Sequence, residues 1–152
     1  MLPQKANFPT EKITNLSSRS KSRSRRGSWR IASDLPASFH YAAQGIAYGF
    51  STQRNFRIHL FTGGIVFALG TWLKLDPSQM SVLVLTVAAV LVLELLNTAV
   101  EAVVDLAIGR RFHPLARIAK DCSAAAVLVA SISSLIIAIL LLLPPLLAQL
   151  GT

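Results

Sequence analysis

The chain has 152 residues, of which 53% are hydrophobic, and its mean hydropathy is positive at +0.54. Its formal net charge of +8 is unevenly placed, because residues 1–30 hold eight of the fifteen Lys and Arg but only one acid, Glu11. This division argues against a soluble basic domain and predicts one membrane domain preceded by a basic tail. The single cysteine, Cys122, excludes a disulfide within the chain.

The first 35 residues are predicted to be a disordered tail, with the membrane domain covering residues 36–152. The tail includes the Ser- and Arg-rich tract "SSRSKSRSRRGSWR" and has no apolar core of the length that a cleavable signal peptide needs. A solvated tail is the favoured interpretation. The composition also suits an organelle transit peptide, or a segment that lies on anionic lipid headgroups. No nucleic-acid partner is expected, because no aromatic residues are interleaved with the charges as stacking platforms.

The next stretch, residues 38–57, has apolar residues at helical spacing. Phe39, Ala42, Ile46 and Phe50 fall on one face, and tyrosines lie beside them. This pattern is typical of an amphipathic helix in the membrane interface. An early extension of the first membrane span is the alternative.

Three apolar segments follow and predict membrane spans at about 57–75, 80–106 and 120–143. A helix needs roughly 20 predominantly apolar residues to cross a bilayer. Asp76-Pro77 predicts a turn after the first span, and Pro144-Pro145 is expected to end the third. The glycines of "GGIVFALG", residues 63–70, predict close helix packing rather than a nucleotide-binding loop.

The charges of the connections predict the topology. The connection after the first span carries Lys74 and Asp76, which cancel, whereas the connection after the second is strongly basic. The positive-inside rule therefore predicts that this second connection and the N-terminus are cytoplasmic.

A polar stripe lies at the end of the second span. Glu94, Asn97, Glu101 and Asp105 are three, four and four residues apart and share one face of a helix. Carboxylates within a membrane are costly and usually mark a functional site. A structural ion-pair network and a proton relay in a small transporter are the two alternatives.

The following connection contributes cations and a further acid. Lys120 and Asp121 lie where the third span begins, on the same predicted side of the membrane as the stripe. Carboxylate oxygens suit Mg²⁺, and lysine binds phosphate as a point charge. The two groups together predict a site for a metal-nucleotide at the membrane surface.

Three strings in this chain resemble the prokaryotic integral-membrane diacylglycerol kinase family, and most closely its undecaprenol kinase branch. They are "RNFRIHL" (54–60), "ELLNTAVEAVVD" (94–105) and "HPLARIAKD" (113–121). The resemblance covers about residues 39–143. It implies an all-α homotrimer whose subunits each have an interfacial helix and three transmembrane helices, in a bacterial inner membrane. It also implies transfer of the γ-phosphate of ATP, carried with Mg²⁺, to the hydroxyl of undecaprenol or diacylglycerol.

The resemblance implies a role for each motif residue. Glu94 matches the catalytic base, Glu101 a ligand of Mg²⁺, and Asn97 a residue that supports the site, as Asp105 is also expected to do. The residues that match the surroundings of ATP are Tyr41, Gln53, Glu101, Arg111, Phe112, His113, Lys120 and Asp121.

Two positions depart from the family's pattern. Gln53 stands where the family usually has a metal-binding Glu, and a neutral amide is a weaker Mg²⁺ ligand. Gln44 stands where a basic residue is usual. The alternatives to a kinase are therefore a non-catalytic membrane scaffold with a lipid-binding tail, or an ion or proton carrier.

Overall fold

The computed structural model describes residues 35–109 and 111–151, and the predicted basic tail lies outside them. The described part is all-helical. It contains four helices: α1 (Leu35–Thr52), α2 (Arg54–Trp72), α3 (Pro77–Ile108) and α4 (Pro114–Leu150). The described residues from 41 onward form one compact unit, and residues 35–40 at the start of α1 lie outside it.

α1 and α2 are separate helices, so the alternative that residues 38–57 extend the first span is wrong. Gln53 has extended dihedral angles, φ −99° and ψ 111°, which interrupt the helical backbone. The Arg57 guanidinium of α2 donates from Nη1 to the carbonyls of Phe50 (3.0 Å) and Ser51 (3.2 Å). These bonds satisfy carbonyls that the end of α1 leaves without helical partners. The chain therefore changes direction earlier than predicted, at Gln53.

The predicted turn at Asp76-Pro77 is confirmed, and it also starts α3. Asp76 accepts hydrogen bonds from the backbone N–H groups of Ser78 (2.8 Å) and Gln79 (3.1 Å), while the Gln79 side chain accepts from the Asp76 N–H (3.2 Å). This capping box, with Pro77 in the first turn, begins the helix three residues before the predicted Met80. Hydrogen bonds, first from the Ser78 hydroxyl, hold the pKa of Asp76 below its ordinary value.

The prediction that Pro144-Pro145 ends the last helix is wrong. α4 continues through both prolines to Leu150 and ends at Gly151, which has the left-handed φ of 76°. Proline inside a helix removes an N–H donor and crowds the preceding turn, although its φ lies near the helical value. Leu142 before the two prolines and Leu146 after them pack in the apolar cluster, and this packing stabilises the helix against that cost. The predicted third span at 120–143 therefore lies within a longer helix.

The helices pack most extensively along α3 and α4, and α2 lies against α3. One apolar cluster contains Leu73, Leu83, Ala138 and Leu142, and Leu83 is only 1% exposed. Close packing at the glycines is confirmed at Gly63, where an added Cβ would lie 2.4 Å from Val87 Cγ1.

Two helices, α3 and α4, are long and apolar enough to cross a membrane, judged over the residues that the structure describes. The first predicted span, about 57–75, corresponds to α2, a helix of 19 residues that does not reach the same standard. The fold is thus that of an all-helical membrane protein.

Candidate active site

Asp105 and Lys120 join the last turns of α3 to the first turns of α4. Lys120 Nζ lies 2.5 Å from Asp105 Oδ1, and the two side chains are 36% and 59% exposed. This pair connects a stripe residue with a residue predicted to contact phosphate. An ion pair this exposed contributes about 0–1 kcal/mol to stability. Lys120 therefore remains able to exchange its partner for a phosphate oxygen.

Asn97 lies about two turns before Asp105 on α3 and uses both ends of its amide. Its Nδ2 donates to Glu101 Oε1 at 3.3 Å, and its Oδ1 accepts from Ser123 Oγ of α4 at 2.6 Å. The Glu101 carboxylate fixes which way the amide points, because a carboxylate can only accept, whereas the Ser123 hydroxyl can donate or accept. The Asn97 donor is consequently directed at the Glu101 carboxylate, as a supporting residue requires.

Glu94 is the one charged side chain that is buried among residues 35–109 and 111–151, with 4% of its surface exposed. α2 brings His59 against it, with Nε2 3.5 Å from Glu94 Oε1. The Thr98 hydroxyl donates to the Glu94 backbone carbonyl rather than to its carboxylate. The buried carboxylate thus lies against an imidazole, where it can accept a proton.

The start of α4 holds the remaining cationic residues. His113 is the N-cap, and its Nδ1 accepts from the Leu115 N–H at 3.2 Å. Asp121 lies 3.4 Å from Arg117 one turn earlier, and both side chains are about two-thirds exposed or more. Asp121 therefore does not join the cluster around Lys120 and Asp105 in this structure. Two further predicted residues of this connection, Arg111 and Phe112, are also exposed.

The two predicted residues from the first part of the domain lie on α1 and at the α1–α2 break. Tyr41 is 53% exposed. Gln53 is half-buried and makes no side-chain capping bond, although it occupies the N-cap position of α2.

The described residues contain no group of three His, Cys, Asp or Glu side chains close enough to hold a metal ion. The described residues therefore do not form a metal site from protein side chains alone. Mg²⁺ is commonly bound by one or two carboxylates together with substrate phosphates. Glu101, with a carboxylate that one amide donor orients, fits this second arrangement.

Two site residues were not identified from the sequence. Ser123 contacts Asn97 across the α3–α4 interface, and His59 contacts Glu94 across the α2–α3 interface. The only sequence signal for His59 is that it is the sole titratable residue between Ile58 and Leu73. Ser123 gave no signal, because its contact depends on how the two helices pack.

Comparisons with known proteins find relatives of a single family. The family profile of prokaryotic diacylglycerol kinase matches residues 40–142. A diacylglycerol kinase from Synechocystis sp. is 52% identical over 124 residues, which cover 82% of this chain and 71% of the relative. An undecaprenol kinase from Bacillus subtilis is 40% identical over 109 residues, covering 72% and 88%. A diacylglycerol kinase from Escherichia coli is 34% identical over 96 residues, covering 63% and 78%.

The matched region contains all the residues described above as parts of the candidate site. Both the extent of the profile match and the identity to the relatives are sufficient to assign the family, and the resemblance of the three motifs is confirmed. The chain belongs to the prokaryotic diacylglycerol kinase family and is a membrane lipid kinase.

Proposed function

We propose that this kinase transfers the γ-phosphate of ATP to the hydroxyl of diacylglycerol or undecaprenol at the polar end of α3. The observation that carries the proposal is the order of groups along that helix, from buried Glu94 to half-exposed Asp105. Glu94 and Glu101 are seven residues apart, which is about 10 Å along a helix. A lipid hydroxyl reaches the first from the membrane, and ATP reaches the second from water.

Glu94 acts as the general base in this proposal. Its carboxylate takes the proton of the lipid hydroxyl, and the oxygen of that hydroxyl attacks the γ-phosphorus while the bond to the ADP oxygen breaks. A base contributes about 10²–10⁴-fold when it can reach the proton. Its burial supports the assignment, because a buried carboxylate is kept from water, which would otherwise compete with the lipid hydroxyl as a donor.

Glu101 binds the Mg²⁺ that ATP carries, with Asn97 orienting its carboxylate. Mg²⁺ supplies neutralisation of the charge on the phosphate oxygens when it is bound. Gln53 adds an amide oxygen at most, so metal affinity in this chain depends mainly on Glu101. Asp105 supports the site by holding Lys120.

Lys120 contacts phosphate oxygens of ATP as a point charge. Tyr41, His113 and Asp121 lie around the nucleotide, together with Arg111 and Phe112 of the connection. Exposure of these side chains supports the assignment, because a nucleotide that arrives from water needs accessible contacts.

The assembly is a homotrimer of three-span subunits in a bacterial inner membrane, with a cytoplasmic N-terminus. α2 is the first span of the three, and its 19 residues lie within the range of about 17–25 that crosses a bilayer. The basic connection between α3 and α4 supports the orientation, since Lys and Arg favour the cytoplasmic side. The basic tail binds anionic lipid headgroups on that same side.

The acceptor is tested by supplying the purified full chain, in mixed micelles with MgATP, with diacylglycerol or with undecaprenol. The names of the relatives differ in the acceptor, so the two lipids are compared at equal mole fraction. Labelled phosphate in one lipid identifies the acceptor. If neither lipid is labelled at high Mg²⁺, the proposed transfer is wrong, and a scaffold or an ion carrier replaces it.

A further inference from the structure

His59 is the side chain that reaches the buried Glu94 from another helix. It lies in the second turn of α2, and its Nε2 is 3.5 Å from Glu94 Oε1. The two side chains are 28% and 6% exposed, so little water competes with the contact. Of the ion pairs formed by residues 35–109 and 111–151, this is the one that involves Glu94.

The other charged groups around Glu94 are acids or are engaged elsewhere. On α3 itself, Glu101 lies two turns away and has the same sign. The charged groups of α4 pair outside this contact: Lys120 lies against Asp105, and Arg117 lies against Asp121.

α1 contributes no Asp, Glu, Lys or Arg between residues 35 and 52. Its titratable residues are His40, Tyr41 and Tyr48. α2 has Arg54 and Arg57 besides His59, and Arg57 is bonded to the end of α1. His59 is thus the group whose position suits it to stabilise a charge on Glu94.

We propose that His59 is a positioning residue that favours the charged form of the Glu94 carboxylate and orients it through Nε2. This inference rests on the proposed role of Glu94 as the base. A carboxylate in apolar surroundings is disfavoured unless a donor or a positive charge compensates it. With His59 at Oε1, the second oxygen, Oε2, remains to accept the proton of the lipid hydroxyl. His59 itself takes no proton from the substrate.

Three variants of the full chain test the proposal by steady-state kinetics. His59→Leu removes the donor, and we expect kcat to fall about 10–100-fold, as for other partners that orient a reactive group. KM for ATP should change less than about twofold, because His59 is not assigned to the nucleotide. His59→Gln retains a neutral donor of similar reach and should recover most of kcat. Ser134→Ala, in the same groove between α2 and α4 as His59, is the matched control and should behave as wild type.

The pH profile separates positioning from packing. Without His59 the charged form of Glu94 loses its compensating group, so the acid limb of kcat in His59→Leu should move to higher pH. A role in packing alone would lower kcat equally at every pH and would overturn the proposal. If His59→Leu does not fold, judged by its gel-filtration profile in detergent, kcat of His59→Gln decides: most of the wild-type value is expected, and a fall as large as the one expected for His59→Leu, with a normal gel-filtration profile, would overturn the proposal.

A double-mutant cycle distinguishes failure of this inference from failure of the proposed base. His59→Leu is combined with Glu94→Asp, which retains a shorter carboxylate. Coupling is expected: His59→Leu should cost much less in the Glu94→Asp background than in wild type. Independent, multiplicative effects would overturn the positioning role while leaving Glu94 as the base. Full activity of Glu94→Gln alone would instead overturn the base, whatever His59 does.

Discussion

The two halves of α3 differ in what their buried faces contact. In the first half, Leu83 is 1% exposed and packs with Leu73, Ala138 and Leu142. In the second half, the same face carries Glu94 and Asn97, which contact His59 and Ser123. One helix therefore passes from an apolar interface to a polar one without changing its direction or its partner helix.

The difference indicates that the apolar half of α3 serves stability and the polar half serves the reaction. Packing between helices in a membrane is stabilised by van der Waals contact, and the close approach at Gly63 increases that contact. Exposed pairs such as Asp105–Lys120 add about 0–1 kcal/mol, and a buried carboxylate costs stability. The polar half is thus not explained by stability. It is explained by the phosphoryl transfer that we propose.

The largest effect among the nucleotide-binding residues is expected for Glu101→Gln. Loss of the carboxylate removes the assigned Mg²⁺ ligand, and kcat/KM for MgATP should fall about 10²-fold, as for loss of one electrostatic contact to a transition state. Raising free Mg²⁺ should recover part of the loss. Kinetics over a Mg²⁺ titration measure this, with Glu101→Asp as the milder control. A variant as active as wild type at low Mg²⁺ contradicts the assignment.

Substitutions of Lys120 and of its partner Asp105 are expected to have smaller effects on activity than Glu101→Gln, and the two effects should differ. Lys120→Met should raise KM for ATP about tenfold, in line with a charged hydrogen bond of roughly 1.5–3 kcal/mol. Asp105→Asn should have a smaller effect, because it removes only the residue that holds the lysine in the resting structure. Equal losses in the two variants would show that the ion pair, rather than the lysine's contact to phosphate, is what matters.

On α2, opposite the apolar half of α3, Gly63 and Gly64 form a matched pair of positions for substitution. An added Cβ at Gly63 would lie 2.4 Å from Val87 Cγ1, whereas at Gly64 nothing lies within 4 Å. The β-branched valine is stiff, so Gly63→Ala should destabilise the fold by about 1–3 kcal/mol. Gly64→Ala should be neutral or slightly stabilising, because alanine favours helix. Denaturant unfolding in mixed micelles measures both. Equal stability of the two variants would contradict the described approach of α2 to α3.

The smallest effect is expected at the turn that begins α3. The pKa of Asp76 is lowered, first by the Ser78 hydroxyl, so its capping contribution is complete above the ordinary pKa of an aspartate, about 3.9. That contribution is lost as pH falls from there through the lowered pKa. Asp76→Ala should therefore be slightly less stable than wild type at neutral pH and should approach it in acid. A difference that persists unchanged in acid would contradict the capping role.

The polar stripe could be predicted from the sequence because it is local. Glu94, Asn97, Glu101 and Asp105 share a face at fixed helical spacing, whatever the helix packs against. The turn at Asp76 was also predictable, and its capping box was legible in "DPSQ" although the helix start was predicted at Met80.

The features that could not be predicted from the sequence depend on tertiary contacts. The carbonyls at the end of α1 are satisfied by Arg57, seven residues beyond Phe50, and no local pattern reveals that bond. His59 and Ser123 become site residues only because α2 and α4 lie against one face of α3. Local chemistry predicts that Pro144 ends the helix. α4 continues past it because Leu142 and Leu146, on either side of the two prolines, pack in the apolar cluster.

The central claim is that two buried positions on one face of α3 differ in role: Glu94 takes part in catalysis, whereas Val90, one turn earlier, contributes only to packing. Val90 and Glu94 are each 4% exposed, so they form a matched pair for one measurement. Turnover of MgATP with the lipid acceptor and the unfolding midpoint are measured together on Glu94→Gln and Val90→Ala. We predict that Glu94→Gln loses turnover while it keeps its midpoint, and that Val90→Ala loses stability while its folded fraction keeps turnover. Full turnover in Glu94→Gln would contradict the account.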